Sequence, residues 1–99
     1  MNFQTLMMDV RYQSLKSMLD DTRERISEHP DDVELFLNIL QETLVHAKNQ
    51  LDYVQKHPLG NSLEEAANRV LDWKTIVTEN QAMIDRLIRE IRDKTKLYP

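Results

Sequence analysis

Apolar residues recur at alternating spacings of four and three along most of the chain, and this spacing constrains the fold more than any other feature. Such a pattern places one apolar stripe along an α-helix and is typical of helices that pack as a left-handed bundle. Two proline-containing segments interrupt it. The pattern between these interruptions predicts three helices, at residues 3–28, 32–56 and 63–96.

The two proline segments also carry signals for helix ends. Proline lacks a backbone N–H and disfavours a helical conformation in the residue before it, so the first helix is expected to end near Glu28. Asp31 or Asp32 is placed to cap the second helix. Ser62 and Glu65 have the spacing of a capping box at the start of the third helix.

Each predicted helix has one main stripe of core candidates. Trp73 lies on the stripe of the third helix and is therefore expected in the core. Asn80 is a polar residue on the same stripe, where it either fixes register and oligomeric state or bonds to backbone or solvent. The stripes consist of Met8, Tyr12, Leu15, Leu19, Thr22 and Ile26 in the first helix, of Val33, Leu37, Leu40, Leu44, Ala47, Leu51 and Val54 in the second, and of Ala66, Val70, Trp73, Val77, Asn80, Ile84, Leu87 and Ile91 in the third.

Composition limits the class of protein further. The 99 residues suit one domain over 1–99, and 40% hydrophobic with 30% charged residues is a globular composition. The absence of cysteine excludes disulfides and thiolate metal sites. A net charge of −4 argues against general binding to nucleic acid or anionic lipid. No apolar run reaches membrane-spanning length and no signal peptide is evident, so a cytoplasmic location is expected.

The first and second helices carry more apolar surface than a monomeric three-helix bundle needs. A second stripe lies roughly opposite the main one on each of them. We interpret these second stripes as an interface for another protein or for a second copy, although single apolar surface residues are common in any protein. The residues concerned are Phe3, Leu6, Met7 and Val10 in the first helix and Leu35, Ile39, His46 and Tyr53 in the second.

Helix lengths suggest a further contact surface at the end of the third helix. At 1.5 Å per residue the first two helices span about 38 Å each and the third about 50 Å. About two turns of the third helix are then expected to lack an intramolecular partner, and they contain Leu87, Ile88 and Ile91. The predicted fold is therefore an all-α, coiled-coil-like antiparallel three-helix bundle with a long C-terminal helix, which assembles into a larger helical bundle.

The chain contains no recognisable arrangement of catalytic residues. Glu42 and His46 share the second stripe of the second helix, where a surface pair or an interface contact is favoured over a metal site. His29 and His57 precede prolines at helix ends and are expected to interact with free carbonyl groups there. Gly60 is the only glycine, so no phosphate-binding loop is possible. We therefore predict no enzymatic activity, no cofactor and no metal.

Two functions follow from these observations. The favoured one is a small acidic protein–protein interaction module of the accessory, adaptor, inhibitor or regulator type, which binds another protein, itself as a homodimer, or both. The alternative is a DNA-binding regulator that uses residues 62–83. Residues 62–71 resemble the opening helix of many helix-turn-helix domains, and 74–81 would supply the turn and the recognition helix. This alternative requires a break at 71–74, where the turn glycine is missing.

Overall fold

The computed structural model describes residues 3–58 and 62–97, with side chains described as far as residue 93. Its elements are three helices: α1 spans Phe3–Glu28, α2 spans Val33–Lys56, and α3 spans Leu63–Leu97. The described residues are 92% helical, which confirms the predicted all-α bundle, and the predicted helix limits agree to within one residue. The bundle is elongated, with extents of 58 × 20 × 17 Å.

The helix ends agree with the sequence prediction at one boundary and differ at another. Ser62 Oγ accepts a hydrogen bond from the Glu65 backbone N–H at 3.1 Å, as predicted for the capping position of α3. Asp32 precedes α2, but its side chain makes no capping hydrogen bond, so that prediction is wrong for Asp32. Its φ of −95° and ψ of 35° depart from the extended conformation that aims a capping side chain at the helix N–H groups.

The main stripes form the core, as their spacing predicts. Every predicted core position is buried or half-buried. Trp73 is buried in a cluster with Met8 and Ala47, and its ring meets the Tyr12 ring edge-to-face with 5.8 Å between centroids. A second cluster fills the other half of the bundle and consists of Leu19, Phe36, Leu40, Leu44, Ile84 and Leu87.

Asn80 is a buried polar residue on the main stripe of α3. Its side chain is 0% exposed. In the amide orientation that satisfies both groups, its nitrogen donates to the Leu40 carbonyl oxygen at 2.9 Å and its oxygen accepts from the Leu44 N–H at 3.2 Å. Backbone pairing is therefore confirmed for Asn80. Because both partners are backbone groups of α2, these bonds also fix the axial register of α3 relative to α2.

Polar contacts add to the packing between α1 and α3. Arg69 binds both carboxylate oxygens of Asp9, with Nε and Nη2 each 3.1 Å from an oxygen. The hydrogen bonding of the Arg69 guanidinium to the Asp9 carboxylate raises the pKa of Arg69 above its ordinary value. Further along the two helices, Arg23 and Glu79 form a second ion pair, with 3.9 Å between Nη2 and Oε2. The two ion pairs run in the same order along both helices, so α1 and α3 are parallel.

The end of α3 differs from the prediction at Leu87. This residue is only 1% exposed and belongs to the cluster of Phe36 and Leu40, so the expectation that it lacks an intramolecular partner is wrong. The antiparallel pairing of α2 with α3 brings Phe36 near Leu87, while the first turn of α3 leaves Leu63 almost fully exposed. The extra length of α3 is therefore shared between its two ends. Ile88, the residue after Leu87, is 37% exposed.

The third helix is continuous through residues 71–74. Trp73 is buried there. Thr75 Oγ1 donates to the carbonyl oxygen of Leu71, four residues earlier, at 2.9 Å, which is the usual bond of a threonine within a continuous helix. A helix-turn-helix motif needs a turn at this point. Residues 62–83 consequently lack the geometry that the DNA-binding alternative requires.

Candidate protein-interaction groove

A groove runs along the seam between α1 and α2. It consists of three depressions of about 470, 410 and 250 Å³. Neighbouring depressions share lining residues: Leu15 and His46 belong to the first two, and Arg11 belongs to the last two. They therefore form one continuous surface, which we call the α1/α2 groove. From Phe3 to Arg25 it is about 33 Å long, at 1.5 Å of rise per residue.

The α1/α2 groove exists because small and polar side chains occupy the seam where larger ones would close it. Ser14, Thr22 and Thr43 all line it. The threonine hydroxyls bond back to their own helices, with Thr22 donating to the Met18 carbonyl and Thr43 to the Ile39 carbonyl, both at 2.8 Å. Thr43 Oγ1 also lies 3.5 Å from the Met18 sulfur, so these two side chains contact each other across the seam.

The second stripes predicted from the sequence converge on this groove. Six of the predicted contact residues line it, although three lie on one helix and three on the other. Phe3 is 73% exposed, whereas Ile39 and Tyr53 also pack against the core. The six residues are Phe3, Met7, Val10, Ile39, His46 and Tyr53.

The remaining predicted contact residues lie elsewhere. Leu6 is exposed but lines none of the three depressions, and Leu35 is 56% exposed near the start of α2. Leu87 is in the core. On α3, Ile91 is half-buried, and Ile88 lines a separate surface depression.

Sequence reasoning missed Met18, which is about half exposed and lies in the middle of the α1/α2 groove. The sequence contains a signal for Met18. It follows Met7, Val10 and Ser14 at spacings of three and four residues, so the second stripe of α1 continues beyond Val10 and is interrupted only by Ser14.

The rim of the α1/α2 groove is polar and carries both signs of charge. Arg25 forms an ion pair with Asp21 at 3.0 Å, and Arg11 donates a hydrogen bond to the Gln50 side-chain oxygen at 3.4 Å. Glu42 also lines the groove. Two cations and two carboxylates therefore surround an apolar floor, and the rim is close to neutral.

The described residues hold no group of three or more side chains placed to bind a metal ion. Glu42 and His46 both line the α1/α2 groove and are exposed, and within residues 3–58 and 62–93 neither side chain forms a hydrogen bond or an ion pair. His57 stacks against Tyr53, with 4.8 Å between ring centroids. None of the three described helices is both long enough and apolar enough to cross a membrane.

The comparisons with known proteins identify no relative. No protein-family model, curated protein or solved structure matches the chain. The α1/α2 groove is therefore interpreted from its own shape and chemistry.

Proposed function

We propose that this chain is a small helical protein–protein interaction module that also self-associates, and that its α1/α2 groove binds an amphipathic helix of another protein. The observation that supports this proposal is the convergence of the second stripes of α1 and α2 on one continuous groove. A protein of this kind acts as an accessory protein, adaptor, inhibitor or regulator, without catalysis.

The shape of the groove suits a helix as its occupant. A groove between two antiparallel helices is the position that a fourth helix takes in a four-helix bundle. A length of about 33 Å corresponds to roughly 20 residues of helix. Recognition by this mode uses apolar side chains spaced by three and four residues on the incoming helix.

The charges of the groove define the occupant further. The rim residues Arg11, Asp21, Arg25 and Glu42 balance one another, so neither a strongly basic nor a strongly acidic helix is favoured. The best match is a helix with an apolar stripe of leucine, isoleucine or methionine and uncharged residues beside it.

The expected affinity is moderate. Full burial of a side chain such as Phe3, Val10 or Met18 contributes about 1.5–3 kcal/mol each. Association costs about 4–15 kcal/mol in lost translational and rotational freedom, so several such residues must be covered together before a stable complex forms. A helix that covers only one of the three depressions would therefore bind weakly.

A synthetic amphipathic peptide tests this proposal directly. The probe is a peptide of about 20 residues with leucine at alternating spacings of three and four and with alanine and glutamine elsewhere. We expect it to bind and to shift the amide NMR signals of residues that line the α1/α2 groove. A scrambled peptide of the same composition controls for non-specific binding.

Variants locate the binding surface. Val10→Glu together with Met18→Glu places two charges in the α1/α2 groove and should weaken peptide binding by about tenfold or more, since burying a carboxylate in an apolar site is costly. The matched control is Val45→Glu together with Leu71→Glu, which changes two similarly exposed residues outside the groove. Equal weakening by both pairs, or peptide-induced shifts away from the groove, would contradict the proposal.

A further inference from the structure

The end of α3 carries a second exposed surface, separate from the α1/α2 groove. A depression of about 400 Å³ there is lined by Ala82, Asp85, Ile88, Arg89 and Arg92. Within the described residues neither Arg89 nor Arg92 forms an ion pair. This surface therefore combines an exposed isoleucine with two guanidinium groups that have no carboxylate partner among the residues that the structure describes.

An acidic segment lies at the same end of the bundle. Residues 28–34 contain four acidic residues and no lysine or arginine. The acidic residues Glu28, Asp31, Asp32 and Glu34 are all exposed, and none forms an ion pair within the described part of the chain. Because α1 and α3 are parallel and α2 is antiparallel to both, the connection from α1 to α2 lies at the C-terminal end of α3.

The two surfaces are complementary in charge. Residues 86–97 contain five lysines or arginines and two acidic residues, which leaves this end of α3 basic, whereas the connection between α1 and α2 is acidic. In a dimer with two-fold symmetry, the same patch on both subunits must be self-complementary. A two-fold axis at this end of the bundle brings the basic helix end of each copy onto the acidic connection of the other.

We infer that the exposed end of α3, at Ile88, Arg89 and Arg92, docks on the acidic 28–34 segment of a second copy of this chain. This inference rests on the proposed self-association and assigns it to a surface distinct from the α1/α2 groove. The two-fold symmetry makes each contact occur twice, so the modest stabilisation from each ion pair is doubled in the dimer. The dimer should weaken as salt rises, because the Debye length beyond which exposed charges are screened falls from about 8 Å at physiological ionic strength to about 3 Å at 1 M salt.

Light scattering across a hundredfold dilution measures the assembly directly, first at low and then at high salt. We expect the wild-type chain to approach the dimer mass at the highest concentration in low salt and to dissociate in high salt. A monomer mass at every concentration in low salt would overturn the inference.

Charge reversal tests which surfaces meet. Arg89→Glu with Arg92→Glu makes the helix end acidic, and Glu28→Lys with Asp31→Lys and Asp32→Lys makes the connection basic. Each of the two variants alone should weaken the dimer by about tenfold or more, since like charges then face each other in both contacts. An equimolar mixture of the two should restore the dimer, because each helix end then meets a connection of opposite charge. A mixture that stays monomeric would contradict the inference.

Two controls separate this inference from the proposed function. Lys48→Glu with Lys74→Glu reverses two exposed charges elsewhere and should leave the dimer unchanged. Val10→Glu with Met18→Glu should weaken peptide binding by about tenfold or more and keep the dimer. Arg89→Glu with Arg92→Glu should weaken the dimer and leave peptide binding unchanged. Dissociation of the dimer by the Val10 and Met18 variant would assign self-association to the α1/α2 groove and overturn the inference.

Discussion

The seam between α2 and α3 is closed, whereas the seam between α1 and α2 is open. Leu40 and Ile84 meet in the closed seam, and Asn80 bonds to two backbone groups of α2. In the open seam, Thr43 and Met18 leave a continuous groove. The helical apolar pattern is similar in both places, so side-chain size at the contact positions determines whether two helices close on one another.

The comparison extends to how firmly each helix is held. Among the described residues, nine buried apolar side chains belong to α2 and α3, whereas α1 contributes only Met8 and Leu19. The other buried residues of α1 are Thr5 and Thr22. Since burial of one large apolar side chain contributes about 1.5–3 kcal/mol, α1 has the smaller share of the core and is expected to open at lower free energy than the α2–α3 hairpin.

Matched truncations on α2 and α1 provide the largest expected effect. Leu40→Ala and Leu19→Ala remove the same atoms from two buried positions of one core cluster. Both should destabilise the fold by about 2–5 kcal/mol, with Leu40→Ala the larger, because α1 has the smaller share of the core and can relax further around a cavity than α2. Urea unfolding followed by circular dichroism measures both. A larger loss of unfolding free energy for Leu19→Ala than for Leu40→Ala would contradict this prediction.

Substitution of Asn80 tests the polar contact in the closed seam. Asn80→Ala should cost about 1–3 kcal/mol, because it leaves a cavity and removes two buried hydrogen bonds. Asn80→Leu should cost less or stabilise, since Leu40 O and Leu44 N–H are spaced to bond each other within α2. Thermal unfolding measures both variants. Equal large losses would show that the two hydrogen bonds, rather than the filled volume, hold this position.

The Asp9–Arg69 ion pair should give the smallest effect. A double-mutant cycle with Asp9→Asn and Arg69→Gln should give a coupling of at most about 1 kcal/mol, since the Asp9 side chain is 45% exposed and is screened by solvent. The contact raises the pKa of Arg69, so its stabilisation is fully present below the ordinary arginine pKa and is lost only as pH rises through the raised value. Arg69 stays charged at both pH 6 and pH 9, so urea unfolding should give the same coupling energy between Asp9 and Arg69 at the two pH values.

Much of the fold could be predicted from the residues alone. The proline segments and Ser62 define helix ends through local geometry, and the main stripes identify the core through the helical repeat. Asp32 was the exception at a helix end, because its backbone conformation depends on the whole connection to α1. Leu87 was an exception in the core, because its burial depends on how far α3 is shifted along α2.

The candidate site was predictable only in part. Spacing on a single helix identifies Phe3, Met7 and Val10 as one stripe and Ile39 and Tyr53 as another. It does not show that the two stripes face the same groove, which depends on the rotation of α1 about its own axis relative to α2. It also does not show that Met18 completes the groove floor.

The three helices, their limits and the residues of each main stripe follow from local sequence, because hydrogen bonding and the rotation of about 100° per residue act within a single helix. The offset between α2 and α3, the burial of Leu87 and the opening of the α1/α2 groove arise only when the helices pack together. These depend on the shapes of side chains from different helices, which meet only when the bundle has formed. The same physics explains why Asn80 could be placed on a stripe from its spacing, while its two partners on α2 required the packed structure.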